Sequence, residues 1–153
     1  MDVVPGRNVL ALPYRTLVSY IENRLPLPDL NPSFYHAAAI LLSILFAYAP
    51  VPWLRAAIIA VVLVTDVLDG ATVRRYDKYN SRAQRGGYVI DVVTDRMSEA
   101  LIFSAAALTA LGAAFFLLWI LNCVLTLYSV YANKHWSLPL RFSYMLVLIA
   151  PTM

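Results

Sequence analysis

The chain has 153 residues, 61% hydrophobic and 14% charged, with a mean hydropathy of +0.67. A soluble domain carries about a quarter charged residues, so the composition excludes an ordinary water-soluble fold and makes lipid the expected solvent. The net charge of +3 gives no sign of a nucleic-acid partner, and the single cysteine, Cys123, excludes an intrachain disulfide or a cysteine-based metal site.

The N-terminus lacks a cationic stretch followed by an apolar core and a small-residue cleavage site, so no cleaved signal peptide is expected. Residues Pro13 to Leu25 read as an amphipathic helix: Tyr14, Leu17, Val18, Ile21 and Leu25 share a face, and Arg15, Ser19, Glu22 and Asn23 lie elsewhere. The segment is too polar to span and is expected to lie along the membrane interface; a helix packed on a partner domain is the alternative. Pro26, Pro28 and Pro32 then give a short extended link. The expected domains are an interfacial helix and linker over 1–33 and a transmembrane domain over 34–153.

The first span is expected from Phe34 to Val51, closing at the turn Ala49 to Pro52, with Trp53 and Arg55 at an interface. A second helix is expected from Ala56 through Asp66 to Arg75. Only its first half is apolar, so the second half must face protein, water or ligand. Tyr76 to Arg85 form a polar loop, and Gly86-Gly87 marks the restart. Tyr88 to Ala132 is nearly continuous apolar sequence for 45 residues, twice the length of one span, and a turn near Leu111-Gly112 divides it into two helices. A polar connection, Lys134 to Pro139, leads to a fifth apolar stretch, Phe142 to Met153. At 12 residues it covers roughly 18 Å of a core about 30 Å thick, so the chain is expected to stop inside a membrane helix. The expected fold is an all-α integral membrane bundle of about five transmembrane helices, the last one short, preceded by the amphipathic helix.

Arg74, Arg75, Lys78, Arg82 and Arg85 crowd the loop between the second and third helices, Lys134 and Arg141 follow the fourth, and Arg7, Arg15 and Arg24 precede the first. The opposite loops hold only Arg55, so the basic side and the N-terminus are expected in the cytoplasm.

Four acids lie at the inner ends of these helices. On a helix turning about 100° per residue, Asp66, Asp69, Gly70 and Val73 share a face with Arg74 at its margin, and Asp91 and Asp95, four apart, share another. An aspartate at the centre of a membrane helix costs roughly 2.5 to 3.5 kcal/mol even on lenient scales, which makes a structural accident a poor account of four. Two such faces opposed would gather four carboxylates that repel unless cations neutralise them. Oxygen-only donors favour a hard ion such as Mg²⁺, Mn²⁺ or Ca²⁺. Gly70 leaves room against the helix, and neighbouring arginines suit phosphate oxygens. Together these features describe a diphosphate site.

The stretches DVLDGATVR (Asp66 to Arg74) and GYVIDVVTD (Gly87 to Asp95), followed by Arg96 and Glu99, resemble the signature of the CDP-alcohol phosphotransferases, D-x2-D-G-x2-A-R-x8-G-x3-D-x3-D. Val73 replaces the signature alanine, and the spacer from Arg74 to Gly87 is 12 residues instead of eight. Members of that family generally have six transmembrane helices. The resemblance implies two divalent ions, Mg²⁺ or Mn²⁺, held by Asp66, Asp69 and Asp91, with Asp95 as general base and a further metal contact. It implies that Asp66, Asp69, Gly70, Val73, Arg74 and Gly87 line a CDP-linked donor, that an alcohol displaces CMP in phospholipid biosynthesis, and that the chain forms a homodimer in membrane lipid. Lys134 and Arg141 are candidates to grip the phosphate of a phosphorylated acceptor, with simple positive-inside charge as the competing account.

Other polar residues have plainer readings. Arg96 and Glu99 are expected to pair within one helix. His36 and His135 stand alone at helix ends and are assigned no metal. Tyr76, Tyr79, Tyr128 and Tyr131 suit an interfacial belt. Two alternatives to the enzyme remain: an aspartate-lined cation transporter, which gains nothing from Arg74 beside its acids, and a shortened, inactive relative.

Overall fold

The computed structural model describes residues 20, 24, 26–76, 83–132 and 138–150, with backbone alone at 74, 83–88 and 130–132. Five helices run through these residues: α1 (Pro32–Tyr48), α2 (Pro52–Arg75), α3 (Ala83–Ala106), α4 (Ala110–Ala132) and α5 (Leu140–Ile149). No strand occurs among the described residues. The expected amphipathic helix falls almost wholly outside them.

Local chemistry accounts for the helix starts. Asn31 caps α1 by accepting a hydrogen bond from the Ser33 amide at 3.0 Å, and Pro32 follows at a position where a missing N–H costs nothing. Proline likewise opens α2 at Pro52. The α3–α4 turn lies at residues 107–109, ahead of the expected Leu111-Gly112. Thr109 makes this turn: its Oγ1 donates to the Ala106 carbonyl and accepts from the Gly112 amide, both at 3.0 Å. Gly112 serves close approach instead, because a Cβ there would collide with the Ala106 carbonyl.

Gly86-Gly87 does not mark a helix start. Helix α3 begins at Ala83 and runs through both glycines, despite about 1 kcal/mol of lost propensity for each. Residues 83–86 therefore form one helical turn ahead of Gly87. The four residues by which the spacer exceeds the signature match the length of that turn.

The helices close into a ring. Helix α1 packs on both α2 and α3, α3 on α4, α4 on α5, and α5 back on α2. Helices α2 and α3, which carry the acids, therefore have α1 between them on one side and α5 with α4 on the other.

One end of the ring is apolar. Phe46, Ile59, Ile102, Phe103, Ala106, Phe115, Leu140 and Tyr144 form a buried cluster drawn from all five helices. Its centre is aromatic, with Tyr144 4.8 Å from Phe115 and 5.7 Å from Phe103, ring centre to ring centre. Such tilted and edge-on pairs add about 0.5–1.5 kcal/mol each beyond plain burial.

Large residues such as Leu41, Leu45, Val61, Leu117, Val124 and Leu127 point outward, as lipid-facing side chains should. Pro52–Val73 and Ala110–Ser129 are long and apolar enough to cross a membrane. Helices α1 and α5 are shorter, and α3 is interrupted by charge.

Candidate active site

The end of the ring away from the aromatic cluster holds the charge. Asp66 and Asp69 stand on the second half of α2, and Asp91 and Asp95 on the middle turns of α3. Asp66 lies within electrostatic reach of Asp69, Asp91 and Asp95, so the two helices do bring their acids together.

The structure divides the four differently from the sequence. One acid from each helix goes to each of two neighbouring side chains. Asp66 and Asp95 meet Arg141 of α5, whose Nη2 lies 2.8 Å from Asp66 Oδ2 and 2.7 Å from Asp95 Oδ1. Asp69 and Asp91 gather with His36 of α1: one donor atom from each of the three lies within 4.8 Å of the others. The flanking helices thus supply the partners, α5 an arginine and α1 a histidine.

Arg141 is buried, and an unpaired buried guanidinium would be costly. Its Nε is 4.0 Å from Glu99, and its Nη1 reaches Ser98 Oγ at the long distance of 3.5 Å. Ser98 Oγ is 2.7 Å from Ser43 Oγ on α1. Ser43 also donates to the Ala39 carbonyl, so Ser98 is the donor between the two hydroxyls. This chain of contacts ties α5, α3 and α1 together behind the acids.

Glu99 is also buried in this region. It pairs with Arg96 at 2.7 Å, as the three-residue spacing predicts, and accepts from Asn122 Nδ2 at 3.3 Å. Asn122 is fully buried on α4. Its Oδ1 accepts from the Leu138 amide at 2.8 Å and its Nδ2 donates to the Leu138 carbonyl at 3.3 Å. Leu138 lies two residues before α5, so one carboxamide fixes the approach to the helix that carries Arg141.

The other site residues divide by position. Gly70 and Val73 are half-buried on α2, on the acid-bearing face. Thr72, on the adjoining face, is fully buried and donates to Tyr35 on α1 at 3.3 Å. The side chain of Arg74 lies outside the described residues, as does Lys134; Gly87 is placed only as backbone within α3. Arg141, expected to face an acceptor, is held among the carboxylates themselves.

Three participants carried little sequence signal. His36 is a lone histidine on an apolar helix, and Ser43 and Asn122 are single polar residues in apolar runs. The available clue was the cost of any polar group in such a run.

The donor chemistry suits a divalent ion. Asp69 and Asp91 offer hard carboxylate oxygens, and the histidine beside them is a common transition-metal ligand. The fold and site define an all-helical, membrane-associated protein with a carboxylate-rich polar cluster at one end of its bundle. The family model for CDP-alcohol phosphatidyltransferase matches residues 31–148, and the chain belongs to that family. Comparisons with curated proteins and with solved structures gave no match.

Proposed function

We propose that the chain transfers a substituted phosphate group from a CDP-linked donor, such as CDP-diacylglycerol, to an alcohol, with release of CMP, as a step of phospholipid biosynthesis. Family membership and the gathering of Asp66, Asp69, Asp91 and Asp95 from two helices carry this reading.

Asp66, Asp69 and Asp91 would hold Mg²⁺ or Mn²⁺, with Asp95 as a further contact. Bound divalent ions would neutralise the diphosphate and stabilise charge on the attacking and leaving oxygens. Gly70, Val73, Arg74 and Gly87 would line the nucleotide and diphosphate.

Asp95 would act as general base. It accepts the proton of the acceptor hydroxyl as that oxygen bonds to the phosphorus distal to cytidine. The bond from this phosphorus to the bridging oxygen breaks, and CMP leaves with the electron pair. A positioned base contributes typically 10²–10⁴-fold. Arg141, 2.7 Å from Asp95, would orient the carboxylate for that role. Arg141 and Lys134 would grip the phosphate of a phosphorylated acceptor. The guanidinium between Asp66 and Asp95 also argues against a cation path through these acids, since its charge opposes the passage of another cation.

In this reading residues 34–153 are the catalytic transmembrane domain and 1–33 an interfacial attachment. The helices lie in the membrane with the last one too short to cross it, the acids and the N-terminus face the cytoplasm, and two copies associate as a homodimer.

Labelled CMP release from CDP-diacylglycerol and from CDP-choline-type donors, with inositol phosphate, glycerol phosphate, serine and choline-type alcohols as acceptors, tests the reading. Metal-dependent release with one pair supports it. Metal binding with no donor binding would indicate an inactive relative.

A further inference from the structure

His36 joins the acids at their α1 side. It lies on the second turn of α1, and its Nε2 is 3.8 Å from Asp69 Oδ2. That distance is too long for a hydrogen bond between them. It is a natural distance for two donors on one ion, since ligands each about 2.0–2.2 Å from a metal lie up to about 4.4 Å apart. The third donor, from Asp91, completes a set whose atoms all lie within 4.8 Å of one another.

The three donors come from three helices, α1, α2 and α3, which α1 packs together. Each donor is therefore positioned by a different helix. His36 and Asp69 are largely buried, with side-chain exposures of 13% and 9%, so the imidazole lies where few waters compete for it. Asp66 and Asp95 meanwhile face Arg141.

We propose that His36 is a metal ligand, giving a nitrogen donor to the divalent ion that Asp69 and Asp91 bind. The proposal rests on the metal-dependent reading above and departs from the all-oxygen donor set that the aspartate signature implies. It has a chemical consequence. Mg²⁺ strongly favours oxygen ligands, whereas imidazole suits the transition ions. The site should therefore bind Mn²⁺ more tightly than Mg²⁺, and His36 should be responsible for much of the difference.

Pulsed electron paramagnetic resonance on the untagged full chain in detergent, loaded with Mn²⁺, tests this directly. The expected spectrum shows a directly coordinated ¹⁴N nucleus. The signal should vanish in His36→Gln and persist in His135→Gln, the only other histidine being His135. Mn²⁺ affinity should fall tenfold or more in His36→Gln, and Mg²⁺ affinity by less than threefold. A wild-type spectrum without nitrogen coupling overturns the proposal while leaving the metal-dependent reading intact. That result would make His36 at most an orienting neighbour of Asp69. Nitrogen coupling that survives in His36→Gln also overturns it. If the wild-type chain binds neither ion, the metal-dependent reading fails and the proposal with it. The wild-type spectrum is informative even if a variant does not fold.

Discussion

Asp66 and Asp95 stand on helices held apart by α1 and α5, yet they share a single nitrogen, Arg141 Nη2, at 2.8 and 2.7 Å. The arginine fastens the two acid-bearing helices through a third. Arg141→Gln removes the shared cation and leaves two carboxylates facing each other in a largely apolar bundle. Breaking a buried pair in this way costs about 3–5 kcal/mol. The expected result is a lower unfolding midpoint in detergent and at least a hundredfold loss of CMP release. Arg141→Lys should recover part of both, because one nitrogen suffices to touch both acids.

Asp69→Asn and Asp91→Asn should abolish turnover while the protein still inserts and elutes as the wild type does. Each substitution keeps the side-chain shape and removes a charged oxygen donor. Titration with Mn²⁺ should show at least a tenfold loss of affinity in both; unchanged affinity would contradict the metal assignment of the residue concerned.

Asp95→Asn separates a base from a ligand. Its carboxylate pairs with Arg141 and is not one of the three donors that gather at His36. Mn²⁺ affinity should stay within about threefold of wild type, while turnover falls by the 10²–10⁴-fold expected for a lost base. A parallel loss of metal affinity would make Asp95 primarily a ligand.

Asn122→Leu should act at a distance. It removes hydrogen bonds to both backbone groups of Leu138 and to Glu99, leaving buried polar groups without this partner. Each such loss costs about 1–3 kcal/mol. Thermal unfolding in detergent should report a clear drop. Turnover should fall even at temperatures where the chain stays folded, because the entry to α5 also sets Arg141.

The composition and the spacing of the aspartates made the helical membrane class and the four-acid cluster legible before any coordinates. Both follow from one-dimensional rules: the length of apolar runs and the periodicity of a helix. The arrangement of the helices was not legible in the same way. That α1 and α5 flank α2 and α3 depends on packing, so nothing in the local sequence joined His36 to Asp69 or Arg141 to Asp66. The helical pairs Asp66/Asp69 and Asp91/Asp95 were correct as faces, but each face divides its acids between two neighbours. In the sequence Gly86-Gly87 and Gly112 suggest punctuation, because glycine is a weak helix former. In the fold the first pair lies within a helix, and Gly112 permits close approach to Ala106.

CMP release from a CDP-linked donor, measured with purified protein with and without added Mn²⁺ or Mg²⁺, tests the central claim most directly. The account predicts release that requires an alcohol acceptor, stops on chelation, returns when metal is restored, and is absent from Asp69→Asn. No release from any CDP-linked donor, in a preparation that binds the metal, would contradict it.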